Sequence, residues 1–356
     1  MAVEVSWFGA LCDDDYELLG VPDPALVSSF EHCAAIVRQA EASGFDNVLL
    51  PSGYALGIDT VAFAAAVAPA LDRIRLLVAM RCGEEWPPKA ARQLATLDHL
   101  LGGRLTINAI SSDLPGEALD SESRYARSGE ALEIIRQLLD GHRVSHHGIW
   151  YDLEVDPPRL GTLSGGCPPV YFGGLSEPAR DLAAATADVY LMWPDTEDVV
   201  VSVIEDLRRR AAARGRTLRF GYRVHVVVRR SESEARRAAS QLVSQLDDET
   251  GEAIRNRSLD AGSVGVGRQS ELRAGADDDG YVEEHLWTGI GRGRSGCGAA
   301  VVGDPEQVAA KLARYAELGF DAFILSGYPH LDECRRFGEL VLPLIDHAPL
   351  ELEARA

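Results

Sequence analysis

A chain of 356 residues could hold two ordinary domains, but one α/β barrel with insertions has about this size, and a single domain over residues 1–356 is the expectation. Asp and Glu number 55 against 35 Lys and Arg, a formal charge of −20 that repels phosphate backbones and acidic membrane surfaces and so argues against nucleic-acid or membrane partners. No apolar run reaches the roughly 18 residues of a membrane helix, and MAVEVSWFG enters a strand with no basic region before it, so a cytoplasmic protein is expected.

Strand character begins with VEVSWFGA from Val3, and a helical pattern covers 27–43. NVLLPS from Asn47 and RIRLLVAM from Arg73 read as strands, followed by a helix over 88–101, a strand RLTINAIS from Arg104 and a helix over 124–140. PPVYFGG from Pro168 is the next strand, and Ser176 precedes a helix that begins near Pro178. DVYLMWP from Asp188, a helix over 197–213, RFGYRVHVVVR from Arg219 and a helix over 231–246 continue the alternation. Asp304-Pro305, with Gln307 three residues after the Asp, is a capping box opening a helix over 305–319, and AFILSGY from Ala322 is the last strand. Strands alternating with helices imply a parallel sheet, and eight of them make a TIM (β/α)8 barrel.

Two stretches repeat. ASGFDNVLLPSGY at 42–54 and ELGFDAFILSGYPHLDE at 317–333 each end a helix on glycine (Gly44, Gly319), turn through Phe-Asp, run as an apolar strand and finish in Ser-Gly-Tyr. They read as the second and last turns of one cyclic β/α pattern. Residues 247–300, between the seventh and eighth strands, form a long insertion rich in Gly, Asp, Arg and Ser, and a mobile, arginine-bearing flap over the active site is expected there. Its Gly291-x-Gly293-x-x-Gly296 matches a dinucleotide fingerprint literally but does not lie between a strand and the helix of a βαβ unit. The six cysteines (Cys12, Cys33, Cys82, Cys167, Cys297, Cys334) contain no CxxC pair, so neither a zinc site nor a disulfide framework is signalled.

In a parallel barrel the C-terminal strand ends form the active face. Here they carry Trp7, Ser52, Arg81, Asn108, Gly173-Gly174, Trp193, Tyr328 and His330. Alternation puts Arg223 and His225 on one face of their strand, where a cation and an imidazole would meet inside the barrel. Gly173-Gly174-Leu175-Ser176 leads into a helix whose unpaired N–H groups favour an anion, which suits a cofactor phosphate, although the same residues also make an ordinary turn. Tyr125 either donates to that phosphate or packs its helix, and Trp193 either anchors the core or walls a pocket. Arg294, in the insertion, supplies the positive charge an acidic protein needs to capture an anion, and its closing loop excludes water. No Ser-His-Asp order, metal-ligand His pair or Walker loop is present.

With these residues in place, the chain resembles alkanesulfonate monooxygenases, the desulfonating members of the bacterial luciferase-like flavin family. The resemblance runs over nearly the whole length, through stretches such as GFDNVLLPSG, AARQLATLDHLLGGR, PPVYFGGLSEPA, RFGYRVHVVVR, LWTGIGRGRSGCGAAVVGD and LGFDAFILSGYPHL. It implies a luciferase-like TIM barrel, a homodimer or homotetramer, reduced FMN supplied by an NAD(P)H-dependent flavin reductase, and dioxygen as co-substrate. The implied reaction oxidises an organosulfonate and releases sulfite and an aldehyde. Carried over by position, Arg223, His225, Tyr328 and His330 match the polar cluster around flavin and substrate. Arg294 matches the flap arginine and Trp193 the pocket tryptophan, while Asn108, Tyr125, Gly174, Leu175 and Ser176 match the cofactor-binding positions.

Three departures stand out. The family's cysteine after the second strand is missing from Gly53–Thr60, and Ser121 stands where related sequences have histidine. Acid has gathered after the first strand (Asp13, Asp14, Asp15) and the third (Glu84, Glu85). If those carboxylates line the mouth, N- or C-oxygenation of an amine-bearing metabolite becomes an alternative. A deazaflavin-dependent hydride transfer and a non-catalytic flavin-binding protein are the remaining ones, and the polar pocket with its lid speaks against the latter.

Overall fold

The computed structural model describes residues 2–257, 259, 261–294 and 296–352. Among them, eight parallel strands close a barrel: β1 (Glu4–Phe8), β2 (Asn47–Leu50), β3 (Arg75–Arg81), β4 (Leu105–Ile110), β5 (Val170–Gly173), β6 (Val189–Met192), β7 (Arg219–Val228) and β8 (Ala322–Ser326). Pairing of β8 with β1 and of β6 with β7 completes the ring. All eight expected strands are present, which makes this the expected (β/α)8 barrel.

Alternation along each strand sorts the side chains. Val5 and Trp7 of β1 point out to the helices, whereas Glu4, Ser6 and Phe8 point in. Trp7 is therefore not on the active face. It is fully buried with ring centroids 5.3 Å from Phe45 and 6.1 Å from Phe337, and donates its indole N–H to the His330 carbonyl. The barrel interior is packed by Phe8, Leu49, Leu77, Tyr171, Val189 and Ile324. Its lower end is polar: buried Glu4 accepts from the Tyr171 hydroxyl at 2.8 Å and from Leu350 N at 3.1 Å, so the C-terminal segment closes that end.

The repeat read from the sequence has a structural counterpart. Gly44 (φ 93°) and Gly319 (φ 118°) both end their helices in the left-handed region that glycine enters freely. The aspartate two residues later then hydrogen-bonds the neighbouring strand, Asp46 accepting from Val5 N at 2.8 Å and Asp321 from Phe220 N at 2.9 Å. Asp188 accepts from Val170 N at 2.8 Å in the same way, a third use of the device.

The insertion is more structured than its composition suggests. It contains helices Asp248–Arg255 and Val264–Ala274 and strands Tyr281–Glu283 and Leu286–Trp287, and it leads into strand Ala300–Gly303; residues 258, 260 and 295 of the 247–300 segment lie outside the described residues. Ala300–Gly303 runs parallel to β7 from His225 to Val228, on the side where β6 has ended opposite Tyr222. A hairpin (Val144–His147 with Asp152–Val155) and helices Thr60–Val67 and His330–Leu340 complete the chain's additions to the expected pattern. No helix among the described residues is long and apolar enough to cross a membrane.

Candidate active site

β7 is the longest of the barrel strands, and Arg223 lies where its neighbour changes from β6 to Ala300–Gly303. Arg223 and His225 both point inward, as their alternation requires. The Arg223 guanidinium lies 4.4 Å from the Phe8 ring centroid and donates to Ser326 Oγ at 2.8 Å. It is 5 % exposed and has no carboxylate partner among the described residues. Burial lowers its affinity for its proton, and so does Arg294 nearby.

Ser326 also joins His225. Its Oγ lies 2.7 Å from His225 Nδ1 while accepting from Arg223, so one hydroxyl links the guanidinium to the imidazole. His225 Nε2 is buried and makes no hydrogen bond of ordinary geometry among the described residues, with the Cys297 backbone nearby. Burial, reinforced by Arg223 and Arg294, holds its pKa well below that of an ordinary imidazole. The ring stacks on Tyr328 at 5.7 Å, and Tyr328 meets His330 edge-on at 4.6 Å.

His330 is the first residue of its helix. Its Nδ1 lies 2.8 Å from Asp15 Oδ1, and its backbone N–H donates to both oxygens of the same carboxylate. His32, from helix Phe30–Ser43, reaches Asp15 Oδ2 at 3.0 Å. Burial works to raise the Asp15 pKa, but the His330 imidazole and the hydrogen bonds from both histidines hold it far below the carboxylate range. The Tyr328 hydroxyl and His330 Nε2 are buried and make no hydrogen bond among the described residues, like His225 Nε2. Arg294 completes the cluster, 6.0 Å from the Tyr328 ring centroid and 3.6 Å from Asp13. The expected residues Arg223, His225, Tyr328, His330 and Arg294 thus meet at one place, 107 residues of sequence apart at the extremes.

The acidic strand ends do not form an open negative mouth. Asp13 faces Arg294 and Arg257, Asp14 accepts from Ser28 N at 3.0 Å, and Asp15 is sequestered by histidines. Glu84 lies 4.0 Å from Arg81 and Glu85 2.6 Å from Lys89. These internal cations remove the reason for favouring an amine. The missing cysteine has a neighbour in its place: a Cβ on Gly53 would lie 2.7 Å from Cys12 Cα and Cβ, so Cys12 borders the loop after β2. Cys82 instead lies among Ser128, Arg127 and Arg81, its thiol pushed up to about 12 chiefly by burial.

A second polar cluster lies at the end of β5. Gly174 (φ 150°) could not carry a side chain, since a Cβ there would sit 2.7 Å from Ala179 Cβ and 3.1 Å from the Tyr125 hydroxyl. Ser176 is the N-cap of helix Glu177–Thr186, yet its hydroxyl makes no capping bond and is buried with no hydrogen-bond partner among the described residues. The tight glycine, the orphaned hydroxyl and the exposed start of a helix fit an anionic group such as a flavin phosphate. Asn108 faces the barrel interior from β4 and is partly exposed, and Ser121 is an exposed first-turn residue behind the Asp120 cap. Trp193 is partly buried, its ring edge against Gly265 and Gly296 of the insertion.

A family model described as luciferase-like monooxygenase matches residues 17–322. The chain belongs to the luciferase-like monooxygenase family. It is accordingly a flavin-dependent monooxygenase that uses reduced FMN with dioxygen as co-substrate. Two relatives are sulfoquinovose monooxygenases. One, from Novosphingobium aromaticivorans, is 61 % identical over 356 residues, covering 98 % of each chain. The other, from Agrobacterium fabrum, is 56 % identical over 345 residues, 96 % of this chain and 89 % of the relative. These relatives correct the resemblance to alkanesulfonate monooxygenases: within the luciferase-like monooxygenases, the chain is similar to enzymes named for a different sulfonate. In fold, this luciferase-like monooxygenase matches the EDTA monooxygenase of Chelativorans sp. BNC1 with a TM-score of 0.79 at 18 % identity, over 97 % of this chain and 93 % of that one.

Sequence reasoning missed the residues that set the protonation of the cluster. Ser326 was visible only as the serine of the repeated Ser-Gly-Tyr, and Asp15 only as one acid of three. Their partners stand 101 and 315 residues away.

Proposed function

We propose that this monooxygenase oxidises a sulfonated sugar of the sulfoquinovose kind at the carbon bearing sulfur, releasing sulfite and leaving an aldehyde. The observation that carries this reading is Arg223, a buried cation with no carboxylate partner among the described residues, in one cluster with three buried polar atoms that make no hydrogen bond among those residues: His225 Nε2, His330 Nε2 and the Tyr328 hydroxyl. A guanidinium seeks a planar or tetrahedral oxyanion, and the three polar atoms suit hydroxyl groups. Each would be costly to leave buried and unsatisfied unless a ligand engages it. The two sulfoquinovose monooxygenase relatives support the same substrate class.

Ser176, Leu175, Gly174 and Tyr125 are assigned to the FMN phosphate, with the start of helix Glu177–Thr186 providing N–H donors, and Asn108 is assigned to the flavin ring. Bound reduced FMN supplies the activation of dioxygen. The chain's own residues do the rest. Arg223 and Arg294 hold the sulfonate, Trp193 walls the substrate, and the insertion excludes water while bringing Arg294 in as a flap. Reduced FMN is to come from a separate NAD(P)H-dependent flavin reductase, and a homodimer or homotetramer is the proposed assembly.

The test couples the enzyme to a generic flavin reductase with NADH and FMN, and follows sulfite and dioxygen together with sulfoquinovose as substrate. One sulfite per substrate-dependent dioxygen consumed is expected. Oxygen uptake with an oxygenated product that retains its sulfur would overturn the desulfonation.

A further inference from the structure

We propose that Asp15 is a positioning residue that makes His330, and not His225, the proton acceptor of the pocket, a role that rests on the desulfonation reading above. The two imidazoles are held in opposite states by their partners. Ser326 Oγ lies 2.7 Å from His225 Nδ1, and in this assignment its hydroxyl donates there, which leaves the His225 N–H on Nε2. The Asp15 carboxylate can only accept, so His330 Nδ1 carries the proton at that end, and its Nε2 presents a lone pair to the pocket.

The surroundings decide which ring can take a second proton. His225 faces Arg223 and Arg294, and no carboxylate among the described residues lies within ion-pair distance of it. His330 rests directly on a fully buried carboxylate that His32 holds from the other side. The other groups facing His330 are Tyr328 from the end of β8, His225 from β7 and the Phe8 ring of β1 at 5.7 Å, while Tyr16 and Arg294 act through Tyr328. Only Asp15 in that set stabilises an imidazolium by direct contact.

The step this serves follows oxidation, once the carbon that bears the sulfonate also carries a hydroxyl. His330 Nε2 takes the hydroxyl proton, the O–H electron pair becomes the second bond of the new C=O, and the C–S bonding pair leaves with sulfite. No further oxidant or reductant is consumed. Arg223 and Arg294 hold the departing group, and the His330 imidazolium returns its proton to solvent when the pocket opens.

Asp15 also caps helix His330–Leu340 through the His330 backbone N–H, so a purely structural role must be separated from this one. Two measurements do so. In free wild-type enzyme labelled with 15N-histidine, long-range 1H–15N spectra, assigned with His330→Gln and His225→Gln, are expected to show His330 protonated on Nδ1 and His225 on Nε2. His330 found as the Nε2–H tautomer would overturn the proposal whether or not any variant folds. In Asp15→Asn, kcat for sulfite release is expected to fall on the order of 10²-fold with KM nearly unchanged, and the acid limb of the pH profile to move to lower pH. His225→Gln should be slower but keep the wild-type limb. An Asp15→Asn enzyme that loses thermal stability yet keeps the wild-type kcat and limb would show a helix cap and nothing more. Failure of wild type to release sulfite would instead sink the desulfonation reading, with the tautomer result left standing.

Discussion

Arg268 grips Asp195 at two points, Nε to Oδ2 at 2.6 Å and Nη2 to Oδ1 at 2.7 Å, and so ties helix Val264–Ala274 of the insertion to the loop after β6. Asp195 is only 2 % exposed, which makes the pair a buried latch on its acidic side. Gln269 adds to it by donating to the Pro194 carbonyl at 2.7 Å and accepting from Gly298 N at 3.0 Å. Arg268→Ala leaves the Asp195 carboxylate without its cation. Hydrogen exchange across Val264–Ala274 should then quicken by about tenfold or more while the barrel strands keep their protection, and KM should rise. Unchanged exchange in that helix would show that the latch does not hold the insertion.

Ser176→Ala separates cofactor binding from folding. The Ser176 hydroxyl contributes no hydrogen bond within the described residues, so its removal should change stability by no more than about 0.5 kcal/mol. A hydrogen bond to a charged phosphate is worth more, and FMN affinity should weaken by about tenfold. Fluorescence titration of FMN and a thermal scan of the same sample check both halves. A large loss of thermal stability with FMN affinity intact would contradict the assignment.

Arg223→Met removes the uncompensated buried cation and replaces it with a flexible apolar chain against Phe8. Because no carboxylate is left orphaned, the variant should fold with a melting temperature equal to or above that of wild type. Its kcat/KM for the sulfonate should fall by about 10²- to 10³-fold. Steady-state kinetics and thermal denaturation, read together, test this, and wild-type turnover would contradict it.

His225 predicts a pH dependence of stability. The unfolded chain binds a proton on this imidazole below about pH 6.5, whereas the folded site, with its pKa depressed by burial and by Arg223 and Arg294, refuses it. Stability is therefore fully present above that value and drains away as pH falls. His225→Gln should flatten the decline in melting temperature between about pH 6.5 and pH 5. Parallel curves for wild type and variant would show that His225 titrates normally in the folded protein.

The barrel was legible because each strand is a short apolar run framed by helical patterns, and the glycine-aspartate repeat marks two of its turns directly. The inward placement of Arg223 and His225 followed from alternation alone. Trp7 was misplaced because it nearly ends its strand, yet the parity of β1 turns it outward and leaves Phe8 to face the site. The insertion hid its helices behind glycines that look like breakers. Gly251 packs against the Arg292 backbone, and a Cβ on Gly265 would lie 2.9 Å from the Trp193 ring, so these glycines serve close approach. The glycines of the false dinucleotide fingerprint do likewise: Gly293 packs against Leu246 and Leu19, and Gly296 against Trp193. The three consecutive aspartates looked like one acidic feature because each has a different partner: Asp14 takes nearby Ser28, whereas Arg294 and His330 come to Asp13 and Asp15 from the far end of the chain.

The most direct test of the account compares sulfite release from sulfoquinovose with that from a simple alkanesulfonate of similar length, using the same reductase and FMN. If His225, His330 and Tyr328 bind sugar hydroxyls, the alkane chain leaves three buried polar atoms unsatisfied, and kcat/KM should drop by roughly 10²-fold or more. Equal kcat/KM for the two substrates would contradict the account and show that the pocket recognises the sulfonate alone.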